Sequence, residues 1–334
     1  MSEPIFPKNT ASRSTPPCPR VSIAMATFNG ERFVREQIDS ILEQSVQDFE
    51  LVVCDDASTD ATWEILTEYA QKDSRIHIYR NERNLGFKQN FERAIRLCKA
   101  DFIALSDQDD VWYPNHLYVL LSNIGDHVLC AGDADMVDEN NREIGERLSY
   151  ADGFQLIPPT EKLLWRLMFV MNPLQGASML LRKDFLERIL PIPNWISTHD
   201  RYFAACACCD TGPIYISKPI TRYRQHGDNI TVAAHNKQGR KSIPLTKYLN
   251  FLTGKFRPET DRIILCEKLI SIFGPNSELE TILRINQELQ SRHLSAKLIQ
   301  ALWDNYEFIV TKPGHRDFFK YFLIWLFAKQ KGTL

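Results

Sequence analysis

The sequence predicts an α/β fold: a Rossmann-like, mostly parallel sheet with helices on both faces, followed by a helical C-terminal extension. Three observations predict it. Short apolar runs alternate with amphipathic stretches from residue 21 to about residue 130. Each crossover is long enough for a parallel connection. Several runs stop abruptly in acidic or turn-forming residues, at the strand edge where such sheets bind ligands.

The first strand is read over 21–27, where larger residues alternate with small ones until Phe28-Asn29-Gly30 signals a turn. From Glu31, apolar Phe33, Val34, Ile38, Ile41 and Leu42 recur at helical spacing. A second buried strand over 49–54 ends in Asp55-Asp56-Ala57-Ser58-Thr59-Asp60, and Ser58, Thr59 or Asp60 can cap the helix carrying Ile65, Leu66 and Tyr69. A short strand over 76–79 and a turn at Asn84-Leu85-Gly86 lead to a helix over 87–99 with Phe91, Ala94, Ile95 and Cys98 on one face. Strand 101–105 then runs into Ser106-Asp107-Gln108-Asp109-Asp110-Val111-Trp112.

Pro114 starts a helix through Leu121, and 128–132 forms a further strand with Asp133 and Asp135 beyond it. Asp138-Glu139-Asn140-Asn141 reads as a surface hairpin turn with no part in a site. An apolar helix over 161–171 precedes Asn172-Pro173-Leu174-Gln175-Gly176 and a strand over 177–181, with Gly176 marking a close backbone approach. Pro191-Ile192-Pro193 reads as a linker ahead of Thr198-His199-Asp200, where Thr198 or Asp200 can cap a helix over 201–209. After a strand over 214–216, residues 221–229 read as a polar loop presenting Arg222, Arg224 and His226, a phosphate-clamp candidate because arginine forks match phosphate oxygens. Helices are read over 245–252, 258–273, 278–290 and 293–310, in a region assigned a supporting or docking role. The stretch 317–331 is greasy on every side and flanked by lysines. It is read as buried in the protein or a partner subunit, with a membrane interface as the alternative.

Composition narrows the field. Lysine plus arginine (40) nearly balances aspartate plus glutamate (42), so no net field draws the chain onto nucleic acid. Of the eight cysteines, Cys206, Cys208 and Cys209 cluster and read as the lining of a helical core rather than a metal or redox site, and Cys54, Cys98, Cys130, Cys206 and Cys266 fall in apolar segments, as expected of buried free thiols in a reducing compartment. Residues 1–20 are polar and proline-bearing, without the apolar stretch of a secretory signal, and read as a disordered lead-in. The longest apolar run, 321–328, is far short of the roughly 20 residues that span a bilayer.

The acidic run carries the chemistry. Asp107, Asp109 and Asp110 repel one another unless a cation lies among them, and oxygen-only ligands suit a hard ion such as Mg²⁺ or Mn²⁺. Such ions take one or two carboxylates and complete their shell with substrate phosphates.

Met25-Ala26-Thr27-Phe28-Asn29-Gly30, Asp55-Asp56-Ala57-Ser58-Thr59-Asp60, Asn84-Leu85-Gly86-Phe87 and Ser106-Asp107-Gln108-Asp109-Asp110-Val111-Trp112 together resemble, in this order, inverting family 2 glycosyltransferases of glycosyltransferase-A fold. The likeness covers about residues 21–229 and is greatest to the bacterial rhamnosyltransferase-like branch. It implies that Thr27 and Asn29 lie against the nucleotide and that Asp56 bonds a pyrimidine base. Lys88, Asp107, Gln175, Gly176, Arg222 and Arg224 join the implied donor-binding set. Asp109 is the implied metal ligand, with Asp110 and His226 sharing the Mg²⁺ or Mn²⁺. Asp200 falls where the family has its general base, which displaces the helix-cap reading. One departure stands out: Ala57 occupies a position where the family usually has glycine.

The expected activity is therefore metal-dependent, inverting transfer of a sugar, with rhamnose favoured, from a nucleoside diphosphate donor to a hydroxyl of a surface polysaccharide or lipid-linked glycan. A silent scaffold of a polysaccharide assembly complex and a nucleotidyltransferase are the alternatives. The expected organisation is a lead-in (1–20), a catalytic domain (21–234) and a helical C-terminal region (235–334). The expected location is the cytoplasm or the inner face of its membrane, with 317–331 as the contact to membrane or a second copy.

Overall fold

The computed structural model describes residues 18–151, 160–169, 172–227, 258–291 and 295–305. The expected helix at 245–252, the tail at 317–331 and most of the lead-in lie outside the described residues.

The first half is a parallel array. Strands β1 (Val21–Thr27), β2 (Phe49–Asp55), β3 (Ile76–Arg80) and β4 (Phe102–Ser106) lie in the order β3-β2-β1-β4. Their crossovers are α1 (Val34–Leu42), α2 (Thr62–Lys72) and α3 (Phe87–Leu97). Strand alternation divides the core between the two faces. Val21, Ile23, Met25, Leu51 and Val53 pack in one cluster with α1, α2 and the helix α4 (His116–Asn123). Ala24, Val52 and Cys54 belong to the other cluster, with Phe91, Ala94 and Ile95 of α3.

The second half is mixed rather than parallel. Its elements are β5 (Val111–Trp112), β6 (Leu129–Val137), β7 (Glu143–Arg147), α5 (Leu148–Ala151), α6 (Thr160–Phe169), β8 (Met179–Arg182), α7 (Lys183–Ile189), α8 (His199–Cys208) and β9 (Pro213–Arg224). Strand β8 runs antiparallel between β4 and β6, β6 pairs in parallel with β9, and β5 closes the order antiparallel to β9. The polar loop expected at 221–229 is thus, through Arg224, the end of a 12-residue strand. The turn expected at 138–141 does join two strands, with Asn141 at φ 61°.

Helices α9 (Pro258–Phe273), α10 (Ser277–Gln290) and α11 (Ala296–Asp304) bear out the helical C-terminal region. Leu265, Cys266, Leu269, Leu279, Ile282, Ile285 and Leu302 share one buried cluster with Trp165 of α6 and Phe203 of α8. Each such side chain is worth about 1.5–3 kcal/mol when fully buried. That exceeds the half-exposed Lys162–Glu278 ion pair, worth about 1 kcal/mol at most. Apolar packing therefore docks these helices, and Glu278, which also accepts the Trp165 indole N–H, fixes their register. Cys54, Cys98, Cys130, Cys206 and Cys266 are buried free thiols, and burial pushes the Cys54, Cys130 and Cys266 thiols up to about 12. Among the described residues, no helix is long and apolar enough to cross a membrane.

Candidate functional site

The carboxyl ends of β1, β2 and β4 meet in a web of short loops. After β1, the Thr27 hydroxyl donates to Asp55 at 3.2 Å, and the Thr27 carbonyl accepts the Asp56 N–H at 2.8 Å. Asn29 adopts φ 48°, donates its N–H to Ser58 Oγ and accepts the Thr59 N–H, both at 2.9 Å. Asp56 is buried and accepts from Asn81 Nδ2 at 2.6 Å and from the Leu85 and Gly86 N–H groups at 2.8 Å. Of the roughly four acceptor positions of a carboxylate, about one remains for a ligand. The neighbouring Ala57 takes φ 60°, the left-handed conformation that glycine adopts without strain, which gives the family's glycine a physical reason.

The acidic turn after β4 is bound on both sides. Towards β1, Gln108 accepts the Phe28 N–H at 2.8 Å and donates to the Phe28 carbonyl at 2.9 Å. Towards β9, Arg224 donates from its backbone N–H to Asp110 Oδ1 at 3.0 Å and from Nε to the Asp109 carbonyl at 2.7 Å. Its Nη1 reaches the Glu139 carbonyl at 2.9 Å, and its Nη2 reaches Glu36 Oε2 at 2.5 Å. Arg224 is 1% exposed. Its guanidinium therefore serves as a strut for the acidic turn, not as the exposed phosphate clamp expected from sequence. Arg222 is likewise drawn to the β6–β7 hairpin, over the Tyr113 ring and 3.8 Å from Glu143. The hairpin turn expected to have no part in a site thus supports it.

His226 Nε2 lies 2.9 Å from Asp109 Oδ2, with its ring 4.8 Å from that of Phe33. Asp110 is fully buried between the Arg224 N–H and the Gln175 amide, 3.3 Å from its Oδ2, so it anchors the turn from inside. A third wall comes from Gly176 and the start of α8. A Cβ placed on Gly176 would lie 3.5 Å from Asp200 Cβ and 3.1 Å from His199 Nε2, the close approach expected at this glycine. Asp200 Oδ1 accepts the Arg201 N–H at 2.6 Å. Lys88 does not join this group: its ammonium donates to the Asn194 and Ile196 carbonyls at 2.6 Å each, tying α3 to the segment before α8.

Clustering shows in the ionisation. Burial first, then the charges of Asp109 and Asp200, push the Asp107 carboxyl up to about 8. Burial, Asp109 and Asp107 push Asp110 well above the usual carboxylate range. Among the described residues, no three His, Cys, Asp or Glu side chains by themselves converge to hold a metal. Asp109 with His226 still fits the smaller set of protein ligands that Mg²⁺ or Mn²⁺ takes when phosphate oxygens complete the shell. The crowded carboxylates leave negative charge for a cation to offset.

Sequence reasoning missed several members. Gln108, Glu36 and the hairpin carbonyls reach the site over long sequence separations that no local pattern signals. His199 adjoins Asp200 at the start of α8. It is 6% exposed, packs at 4.3 Å on the Phe91 ring, and has neither ring nitrogen hydrogen-bonded among the described residues. Burial pushes its imidazole below the usual histidine range, against the opposing charge of Asp200.

Residues 22–190 match the family described as Glycosyl transferase family 2. The chain belongs to this family. It is 25% identical over 248 residues to an uncharacterised glycosyltransferase of Haemophilus influenzae, covering 70% of this chain and 75% of that protein. It is 37% identical over 102 residues to the Escherichia coli UDP-Glc:alpha-D-GlcNAc-diphosphoundecaprenol beta-1,3-glucosyltransferase WfgD, covering 30% of this chain and 40% of that one. Among solved structures, S. aureus TarS 1–349 in complex with UDP-GlcNAc superposes with a TM-score of 0.56 at 17% identity, covering 87% of this chain and 82% of that chain. The glycosyltransferase-A-type α/β fold with a helical C-terminal region is thus the fold of this family 2 glycosyltransferase.

Proposed function

We propose that this glycosyltransferase moves a hexose, with rhamnose favoured, from a nucleoside diphosphate to a hydroxyl of a surface polysaccharide or lipid-linked glycan, with inversion and with Mg²⁺ or Mn²⁺. The observation that carries the reading is geometric: Asp109 meets His226 at 2.9 Å, and Gln175, bonded to Asp110 at 3.3 Å, is followed by Gly176, whose Cβ position lies 3.5 Å from Asp200 Cβ. The name of WfgD, which includes a diphosphoundecaprenol-linked acceptor, supports the choice of acceptor.

On this reading Thr27 and Asn29 border the nucleotide, and Asp56 offers its remaining acceptor position to the base. Asp109 and His226 hold the cation, which when bound supplies Lewis-acid stabilisation of charge developing on the diphosphate. Asp200 takes the proton of the acceptor hydroxyl as that oxygen attacks the anomeric carbon from the face opposite the diphosphate. The same carboxylate accepts the Arg201 backbone N–H, which orients it while leaving its second oxygen for the hydroxyl. Asp110 and Arg224 keep the acidic turn in place. Residues 21–234 act as the catalytic unit on this proposal, with the C-terminal helices buttressing α6 and α8.

The test is donor turnover by the purified chain with Mn²⁺ across UDP-, dTDP- and GDP-sugars, with the product anomer read by NMR. Asp109→Ala and Asp200→Asn should each lower kcat at least about 100-fold, with folding retained by circular dichroism. Turnover that survives both substitutions, or a product of retained configuration, refutes the reading.

A further inference from the structure

We infer that Gln108 is a positioning residue that fastens the β1 loop to the acidic turn, so that nucleotide on the first and cation on the second are bound as one event. The inference rests on the transferase reading above. Gln108 is the uncharged member of the turn, and its side chain spans a separation of 80 residues to reach Phe28. It uses both ends of its amide there: Oε1 accepts the Phe28 N–H and Nε2 donates to the Phe28 carbonyl. This reproduces, with a side chain, the paired rung of an antiparallel ladder. A carboxylate at position 108 could not do it, having no donor, and an apolar side chain could make neither bond.

The link lands between functional neighbours. Phe28 lies between Thr27 and Asn29, and Gln108 lies between Asp107 and Asp109. Displacing either partner moves both pairs. A second observation comes from Gly30. A Cβ there would fall 2.3 Å from Gln108 Oε1 and 2.5 Å from Cδ, so the amide fits against bare backbone and position 30 admits no side chain while it does. Gly30 is itself buried, and its N–H donates to Thr62 Oγ1 at 2.7 Å, which leaves the loop little freedom to retreat.

The test uses the full chain and titration calorimetry with UDP, dTDP and GDP, with and without Mn²⁺, and follows the nucleotide that binds tightest. The quantity read is the factor by which Mn²⁺ tightens that nucleotide. Loss of two neutral hydrogen bonds should lower this factor about tenfold in Gln108→Met and Gln108→Ala. Gly30→Ala should lower it too in the wild-type background, and should have no further effect in Gln108→Ala, where the obstructing amide is gone. A factor unchanged in both Gln108 variants overturns the inference. So does an equal effect of Gly30→Ala in both backgrounds, or a loss of nucleotide affinity that is the same with and without Mn²⁺, which would make Gln108 a loop-folding residue only. A wild-type chain whose nucleotide binding ignores Mn²⁺ altogether overturns the metal-dependent transferase reading itself, an outcome distinct from failure of Gln108 alone.

Discussion

The two sides of the acidic turn are held by different chemistry. On the β1 side the holder is a neutral, half-buried amide making two hydrogen bonds. On the β9 side it is a guanidinium 1% exposed, satisfied by two carbonyls and Glu36. Cutting the first costs about 1 kcal/mol per bond and strands a peptide that water can reach. Cutting the second strands buried carbonyls and frees the hairpin from the turn. The β9 side therefore decides whether the turn is formed, and the β1 side decides where it is aimed.

Arg224→Met should destabilise the fold by about 3 kcal/mol, read from urea unfolding, because it empties a buried, fully bonded position. Glu36→Gln should cost less than about 1 kcal/mol, since that carboxylate is 45% exposed and water replaces the partner. Equal costs for the two would break the contrast between the sides. Acid should next loosen the β9 side. His116 is fully buried, with Nδ1 3.0 Å from the Ile220 carbonyl and its ring stacked 3.8 Å from Trp112, and burial pushes the imidazole down to about 3. The native state therefore binds fewer protons than the unfolded chain between about pH 3 and pH 6.5. The stability tied to this neutral ring is complete above about pH 6.5 and declines as pH falls towards 3. Between pH 7 and pH 5 wild type should lose about 2 kcal/mol of stability relative to His116→Gln, the raised Asp107 and Asp110 being common to both, when their unfolding free energies are compared. One change should be a gain: Ala57→Gly relieves a left-handed alanine and should add about 1 kcal/mol to the unfolding free energy.

The same contrast explains what could be read in advance. Strands β1, β2 and β4 each carry an apolar run that gives way to Thr27, Asp55 or Ser106, so their ends are written locally. In β9 the sequence Thr221-Arg222-Tyr223-Arg224 reads as a loop because its burial comes from elsewhere: Arg222 is in register with Asp135, and Arg224 with Val137. An arginine satisfied by backbone carbonyls looks, in sequence, like an arginine waiting for phosphate. Lys88 misleads for the same reason, its carbonyl partners lying more than 100 residues away. Asp107 and Asp109 were legible as candidates because carboxylates crowd a strand end there, and the structure leaves them clustered and half-buried. The supports that aim them were not.

Helix α8 carries Asp200 at its start, and from Tyr202 through Ala207 every residue is 0% exposed. An inserted bulk or a lost methyl anywhere along that rod has no outward direction in which to relax, so it is transmitted to the carboxylate at the tip. Tolerated change is thereby steered away from the rod and into the looser connections around it, where it leaves the Asp200 carboxylate in place.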